Sequence, residues 1–137
     1  MFNLNALLAQ REAEGRPVQV ALVGAGRFGG LVMAQVTRMR GMRLAVVCDL
    51  APQRALAAFG RAGVPPEAVA VTSDRGKAAD ALRQGRPVAT DAFALCLLPE
   101  VEVVVEATGA PEAGALHAFQ AIQHGKHVVV RPHPGDR

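Results

Sequence analysis

Three glycines and one acid hold the residue types and the spacing most readily tied to chemistry in this chain. Gly24-Ala25-Gly26-Arg27-Phe28-Gly29 has the spacing G-x-G-x-x-G, and Asp49 follows 20 residues after Gly29. A pyrophosphate needs hydrogen-bond donors and positive potential, and a helix opened by such a turn offers both through its first N–H groups and its dipole. Gly24 suits the tight turn, Gly26 lets phosphates approach the backbone without a Cβ in the way, and Gly29 lets the helix lie close to the preceding strand. Asp49 would accept hydrogen bonds from both hydroxyls of an adenosine ribose. The glycine pattern also arises by chance in glycine-rich chains, so its surroundings decide its meaning.

Those surroundings fit. Val18-Gln19-Val20-Ala21-Leu22-Val23 is an apolar, β-branched run directly before the turn. After the turn, Phe28, Leu31, Val32, Val36 and Met39 recur at the three- and four-residue spacing of one helix face, and Gly41 closes the helix. Leu44 to Cys48 is a second apolar strand that ends at Asp49. Strand, glycine turn, helix, strand and acid in register point to dinucleotide binding rather than a merely structural turn.

The remaining segments must position this unit. Asn3 or Asn5 caps a first helix with Leu4, Leu7 and Leu8 in a stripe, stopped by Gly15 and Pro17. Pro52 opens a helix through Arg54, Leu56 and Phe59 to Gly60, and Gly63 to Pro66 is a connection. Val69 to Val71 is a short strand, and Thr72 or Ser73 caps a helix to Gln84 with Ala78, Ala81 and Leu82 inward. Val88 to Thr90 reads as a short edge strand, followed by a helical turn capped by Asp91 and holding Phe93, Leu95 and Leu97. Val101 to Val105 is a buried strand ending in Glu106-Ala107-Thr108-Gly109. Pro111 then starts a helix with Ala115, Leu116, Phe119 and Ile122 on one side, Gly125 ends it, and Lys126 to Val130 is the last strand. The alternation predicts one α/β domain: a Rossmann-type doubly wound parallel sheet in three αβα layers, with right-handed crossovers. Residues 1–17 form the leading helix and connection, 18–130 the domain, and 131–137 an irregular tail. A ligand crevice is expected where strand order reverses, between the first strand and the one near Val101.

Composition narrows the class. Half of the 137 residues are hydrophobic but only 4% are aromatic, without Trp or Tyr, so Ala, Val and Leu must build the core. That suits parallel strands covered on both faces. The net charge of +3 is spread along the chain, with neither a basic patch nor the aromatic residues that stack bases, which argues against nucleic acid as a partner. Cys48 and Cys96 lie in apolar runs and read as buried thiols in a reducing cytoplasm rather than a disulfide or metal pair. The N-terminus lacks an export signal and no apolar run approaches the length of a membrane span.

Other titratable groups are weaker candidates. His117, His124, His127 and His133 lack metal-ligand spacing and read as surface or helix-end residues, so no metal is expected. Lys126 begins a parallel strand, whereas ligands bind beyond the carboxyl ends. His133 lies past the carboxyl end of that strand, yet reads as tail. Glu106 would either touch the cofactor or cap the following helix.

Taken together, Gly24 to Gly29, Asp49, Glu106-Ala107-Thr108-Gly109 and Gly125-Lys126-His127-Val128-Val129 resemble the N-terminal NAD(P)-binding domain of homoserine dehydrogenase-like oxidoreductases. The opening Arg11 to Pro17 is most similar to the branch whose longer members end in a SAF domain, and a more distant likeness runs to the glucose–fructose oxidoreductase and inositol dehydrogenase superfamily. The resemblance implies that Thr108 and Gly109 pass beside the cofactor, with Arg27 and Phe28 inside the phosphate turn. It also implies that Gly125 to Val129 is followed by a short segment with an asparagine and a lysine, or in the distant superfamily by E-K-P with its catalytic lysine, and then by a substrate domain, whereas here the chain runs Val130-Arg131-Pro132-His133 to its end. Two classes follow: a cofactor-binding, catalytically incomplete part of an oxidoreductase acting on a small hydroxy or aldehyde substrate, or a non-catalytic NAD-binding sensor or subunit. Asp49 would repel a 2′-phosphate and so favours NAD, while Arg54 and Arg27 leave NADP possible. An uncovered last strand would favour a homo-oligomer.

Overall fold

The computed structural model describes residues 3–130. Among them six strands form one parallel sheet of order β3-β4-β2-β1-β5-β6. The strands are β1 (Val18–Val23), β2 (Met42–Cys48), β3 (Ala70–Val71), β4 (Val88–Thr90), β5 (Val103–Glu106) and β6 (His127–Val130). The helices are α1 (Leu4–Ala13), α2 (Arg27–Arg38), α3 (Pro52–Arg61), α4 (Arg75–Arg83) and α5 (Pro111–Gln123), with 3-10 turns at Pro66–Ala68 and Phe93–Leu97. Val20 pairs with Val103 and Val23 with both Glu106 and Cys48, all in parallel register, so β1 stands where strand order reverses.

The period of two along β1 sorts the core into its two layers. Val20 and Leu22 face Met33 and Val36 of α2 and Ala55, Ala58 and Phe59 of α3. Ala21 and Val23 face Ala78, Ala81 and Leu82 of α4, Leu95 and Cys96 of the second 3-10 turn, and Ala121 of α5. Strands buried on both faces need continuous apolar runs, which is how β1, β2 and β5 read.

Several expectations change in detail. Val88–Thr90 is an interior strand, hydrogen-bonded between β2 and β3, and all three residues are buried; its shortness reflects a brief pairing segment, not an edge position. Asp74 rather than Thr72 or Ser73 caps α4, accepting from the Lys77 N–H at 3.1 Å, while the Thr72 hydroxyl accepts from the Asp74 N–H. Asp91 does not cap the turn after β4; Thr90 Oγ1 accepts from the Ala92 N–H instead. On α2 the buried line is Gly29, Met33 and Val36, and Leu31 is exposed.

The largest difference is in α5. Leu116, Phe119 and Ile122, the apolar side marked by spacing, are exposed, whereas Gly114 and Ala121 are buried. A Cβ added at Gly114 would come 3.4 Å from the Glu106 Cγ, so small residues face the sheet because the helix lies close against the end of β5.

The first helix is held to the rest of the domain through Leu8, Arg11 and Glu12, the last paired with Arg40. Asn3 is its cap. Arg11 forms a bidentate pair with Glu102 at 2.7 and 3.2 Å, just before β5, and its hydrogen bonds to Glu102 hold the guanidinium pKa above its ordinary value. Leu8, the buried member of the leucine stripe, places its carbonyl oxygen 2.1 Å from where a Cβ of Gly41 would stand, and Gly41 has φ +83°. Gly41→Ala should therefore lower the unfolding free energy by about 2 to 4 kcal/mol through left-handed strain and the displaced helix. Denaturant unfolding of the variant checks this, and an unchanged midpoint would contradict the docking of α1.

Candidate functional site

A cleft of about 540 Å³ opens at the carboxyl ends of β1, β2 and β5, and the turn Gly24 to Phe28 forms its floor. The three glycines of the turn have different physical reasons to be glycine. Gly24 has φ +99°, and a Cβ there would meet the Ala107 carbonyl carbon and the Thr108 nitrogen at 2.9 Å. At Gly29 a Cβ would fall 2.1 Å from the Gly24 carbonyl oxygen, so the first turn of α2 rests directly on the glycine loop. Gly26 differs from both: its φ is −80°, and the nearest atom to an added Cβ is the Arg54 Nη2 at 3.7 Å. The fold tolerates a side chain at Gly26. As the N-cap of α2 it also brings no side chain to cap the first turn.

Asp49 lies at the end of β2 with its side chain only 9% exposed. Its Oδ2 accepts from the Ala25 N–H at 2.9 Å and its Oδ1 from the Ala51 N–H at 3.0 Å. One carboxylate thus ties the glycine turn to the start of α3, and each oxygen retains acceptor capacity for a ligand hydroxyl. Arg54 stands 4.0 Å away, and with Arg27 and Arg61 it lines a second pocket beside the first. Leu50 is exposed and supplies no cation.

On the β5 side, Thr108 lines the cleft together with Ala110, while Gly109 turns the chain between them without lining it. Sequence reasoning left Glu106 with two open roles and assigned His117 to the surface. The structure joins them: His117 Nδ1 lies 2.6 Å from Glu106 Oε2, and the His117 ring stacks on Phe93 with centroids 4.2 Å apart. The other Glu106 oxygen accepts from the Thr108 N–H at 2.8 Å and from the Thr108 hydroxyl, so Glu106 organises the loop rather than capping α5 through the helix's own N–H groups. The available signal was Gly114 and Ala121, three residues before and four after His117, which mark the inward face of α5.

Other candidates fall away from the cleft. Lys126 donates to the Leu98 and Val101 carbonyls at 2.7 Å each, at the opposite edge of the sheet, where burial pushes its ammonium below the usual lysine range against the opposing pull of Glu100 and Glu102. His124 bonds the Gln120 carbonyl at the end of α5, and His127 is exposed on β6. Cys48, whose surface borders the cleft, and Cys96 are free and buried; the neighbouring Cys48 side chain, then burial, holds the Cys96 thiol well above its usual range, which removes it as a nucleophile. The tail with His133 lies outside the described residues. No helix among the described residues is long and apolar enough to cross a membrane.

Comparison with known proteins agrees with this geometry. The family model described as the homoserine dehydrogenase NAD binding domain matches residues 24–132. Comparison with curated proteins gives no match. Among solved structures, the myo-inositol dehydrogenase of Lactobacillus casei in complex with NAD(H) and myo-inositol is similar at TM-score 0.59 and 19% identity, over 83% of this chain and 28% of that one. The scyllo-inositol dehydrogenase of the same organism, with bound NAD(H) and scyllo-inositol, has TM-score 0.60 and 15% identity, over 84% and 28%. The biliverdin reductase of Synechocystis in complex with biliverdin and NADP+ has TM-score 0.57 and 25% identity, over 85% and 30%. The chain therefore spans less than a third of these structures.

The two backbone bonds of Asp49 make a stability prediction that needs no ligand. Asp49→Ala should cost about 1 to 3 kcal/mol, because the Ala25 and Ala51 N–H groups lose their acceptor. Chemical denaturation without any nucleotide is the check, and a wild-type unfolding curve would show that the carboxylate does not brace the turn.

Proposed function

Since this chain belongs to the homoserine dehydrogenase NAD-binding domain family, we propose that its cleft binds a nicotinamide dinucleotide across β1, with Gly24, Gly26 and Gly29 around the pyrophosphate. Asp49 takes the adenosine ribose, Arg27 and Phe28 border the phosphates, and Thr108 lies beside the second nucleoside, with Gly109 turning the chain behind it. The observation that carries this reading is Gly26, a glycine where the protein's own packing leaves room for a side chain. A ligand that presses against the backbone supplies the missing reason.

The cofactor is preferentially NAD. A 2′-phosphate placed at Asp49 meets a carboxylate that is largely withdrawn from solvent, and repulsion there is weakly screened. Arg54 and Arg61 on the adjoining pocket soften that preference without reversing it. A nicotinamide dinucleotide held there would supply hydride chemistry for a small hydroxy or aldehyde substrate. Orientation of that substrate and a positioned acid or base are worth many powers of ten in rate, and we assign both to residues outside 3–130.

Titration with NADH and NADPH tests the reading. Wild type should bind NADH more tightly, and Gly26→Val should abolish binding while keeping the thermal midpoint. Asp49→Asn should narrow the gap between the two cofactors by roughly five- to tenfold, equivalent to about 1 to 1.4 kcal/mol of relieved repulsion. Wild-type affinity in Gly26→Val would remove the cleft as the binding site.

A further inference from the structure

The β5 side of the cleft contains a side-chain arrangement that the glycine turn does not explain. Glu106 has a side chain only 3% exposed, and a carboxylate that deep is costly unless its oxygens are bonded. Thr108 occupies Oε1 through both its N–H and its hydroxyl, and Oε2 is left to His117 Nδ1 at 2.6 Å. A carboxylate in that position selects the ring form with the proton on Nδ1. Phe93, stacked at 27° between ring planes, fixes the ring's orientation as well. Tautomer and plane are thus both set for a ring that lines the cleft and is 20% exposed. Its remaining polar atom is Nε2.

The position within the cleft identifies what that atom meets. Asp49 and Arg54 follow β2, whereas Glu106, Thr108 and His117 belong to β5 and the segment after it, with β1 between the two sets. A dinucleotide whose adenosine lies at Asp49 must carry its second nucleoside over β5. We propose that His117 Nε2 hydrogen-bonds the carboxamide of the nicotinamide, with Glu106 as its positioning residue; this rests on the dinucleotide reading given above. A carboxamide presents an acceptor oxygen and donor nitrogen side by side, so it complements Nε2 in the neutral ring as an acceptor and in the charged ring as a donor. Phosphate oxygens only accept and so suit the charged ring alone, whereas a ribose hydroxyl suits both forms, and ADP-ribose, which retains that ribose, tells it from the carboxamide.

ADP-ribose, which is the dinucleotide without its nicotinamide, separates the two ideas. Wild type should bind NADH about tenfold more tightly than ADP-ribose, the scale of one well-placed hydrogen bond to an oriented imidazole. His117→Ala alone would leave Glu106 buried without a partner, so the variants are the doubles Glu106→Gln/His117→Ala and Glu106→Gln/His117→Phe, the second of which keeps the stack on Phe93. In both, NADH should fall to the affinity of ADP-ribose while ADP-ribose itself is unchanged. Glu106→Gln alone should move the His117 ring-nitrogen resonances toward a mixture of tautomers and reduce the NADH preference part way. If the doubles leave the NADH preference intact, or weaken both ligands equally, His117 does not contact the nicotinamide. Failure of wild type to bind ADP-ribose would instead overturn the dinucleotide reading beneath it.

Discussion

The contact on which the rest of this domain depends is the seat of α2 on the glycine turn. The space for a Cβ at Gly29 is already filled by the Gly24 carbonyl oxygen, 2.1 Å from where that atom would stand. The helix start is consequently pressed onto the end of β1, and its dipole is aimed into the space above the sheet. Gly24 in turn packs against the Ala107–Thr108 peptide, which couples the turn to the loop after β5. One close approach thereby sets the height of the cleft floor relative to both neighbouring strands. Interiors at close-packed density have no slack to absorb a methyl group at such a point.

Around that contact the two flanks of the cleft are built by different means. On the β2 flank a single carboxylate, Asp49, bonds backbone N–H groups on either side of the gap between turn and α3. On the β5 flank Glu106 bonds a loop through Thr108 and a helix through His117. Both acids sit at the carboxyl ends of parallel strands, where chain segments diverge and leave backbone donors without ladder partners. Each acid therefore has a structural duty before any ligand arrives. Loss of affinity in an acid-to-alanine variant cannot be assigned to ligand contact until the stability change is measured separately.

Much of this was legible in the sequence, and what was not has physical reasons. β1, the turn, α2 and the end of β2 could be read because local signals agree there: β-branched runs, glycines at fixed offsets and an acid at a strand end. The interior position of β4 could not be read, since three residues carry no period and pairing is decided by the crossover path of α3 and α4. The orientation of α5 was misleading for another reason. Hydrophobic spacing marks the side with the largest residues, Leu116, Phe119 and Ile122, but a helix that must lie close to a strand end buries its smallest ones, Gly114 and Ala121. Once small residues are taken as the inward face, His117 turns toward Glu106 instead of solvent, and the residue dismissed as surface becomes part of the cleft.

The placement of the charged groups supplies the last step. Lys126 would be the obvious base by residue type, yet both of its bonds go to carbonyls at the amino-terminal edge of the sheet, and the cost of its partial burial is only partly countered there by Glu100 and Glu102. A lysine so engaged serves the crossover into β6. At the opposite edge the cationic side chains near Asp49 are arginines, which cannot act as bases and suit phosphate oxygens. The one proton-exchanging ring found at that edge among the described residues is His117, and its Nδ1 is committed to Glu106. Among the described residues that edge therefore presents arginines, two carboxylates already bonded to the protein and a ring bonded through Nδ1, a set better suited to holding an anion than to free proton transfer.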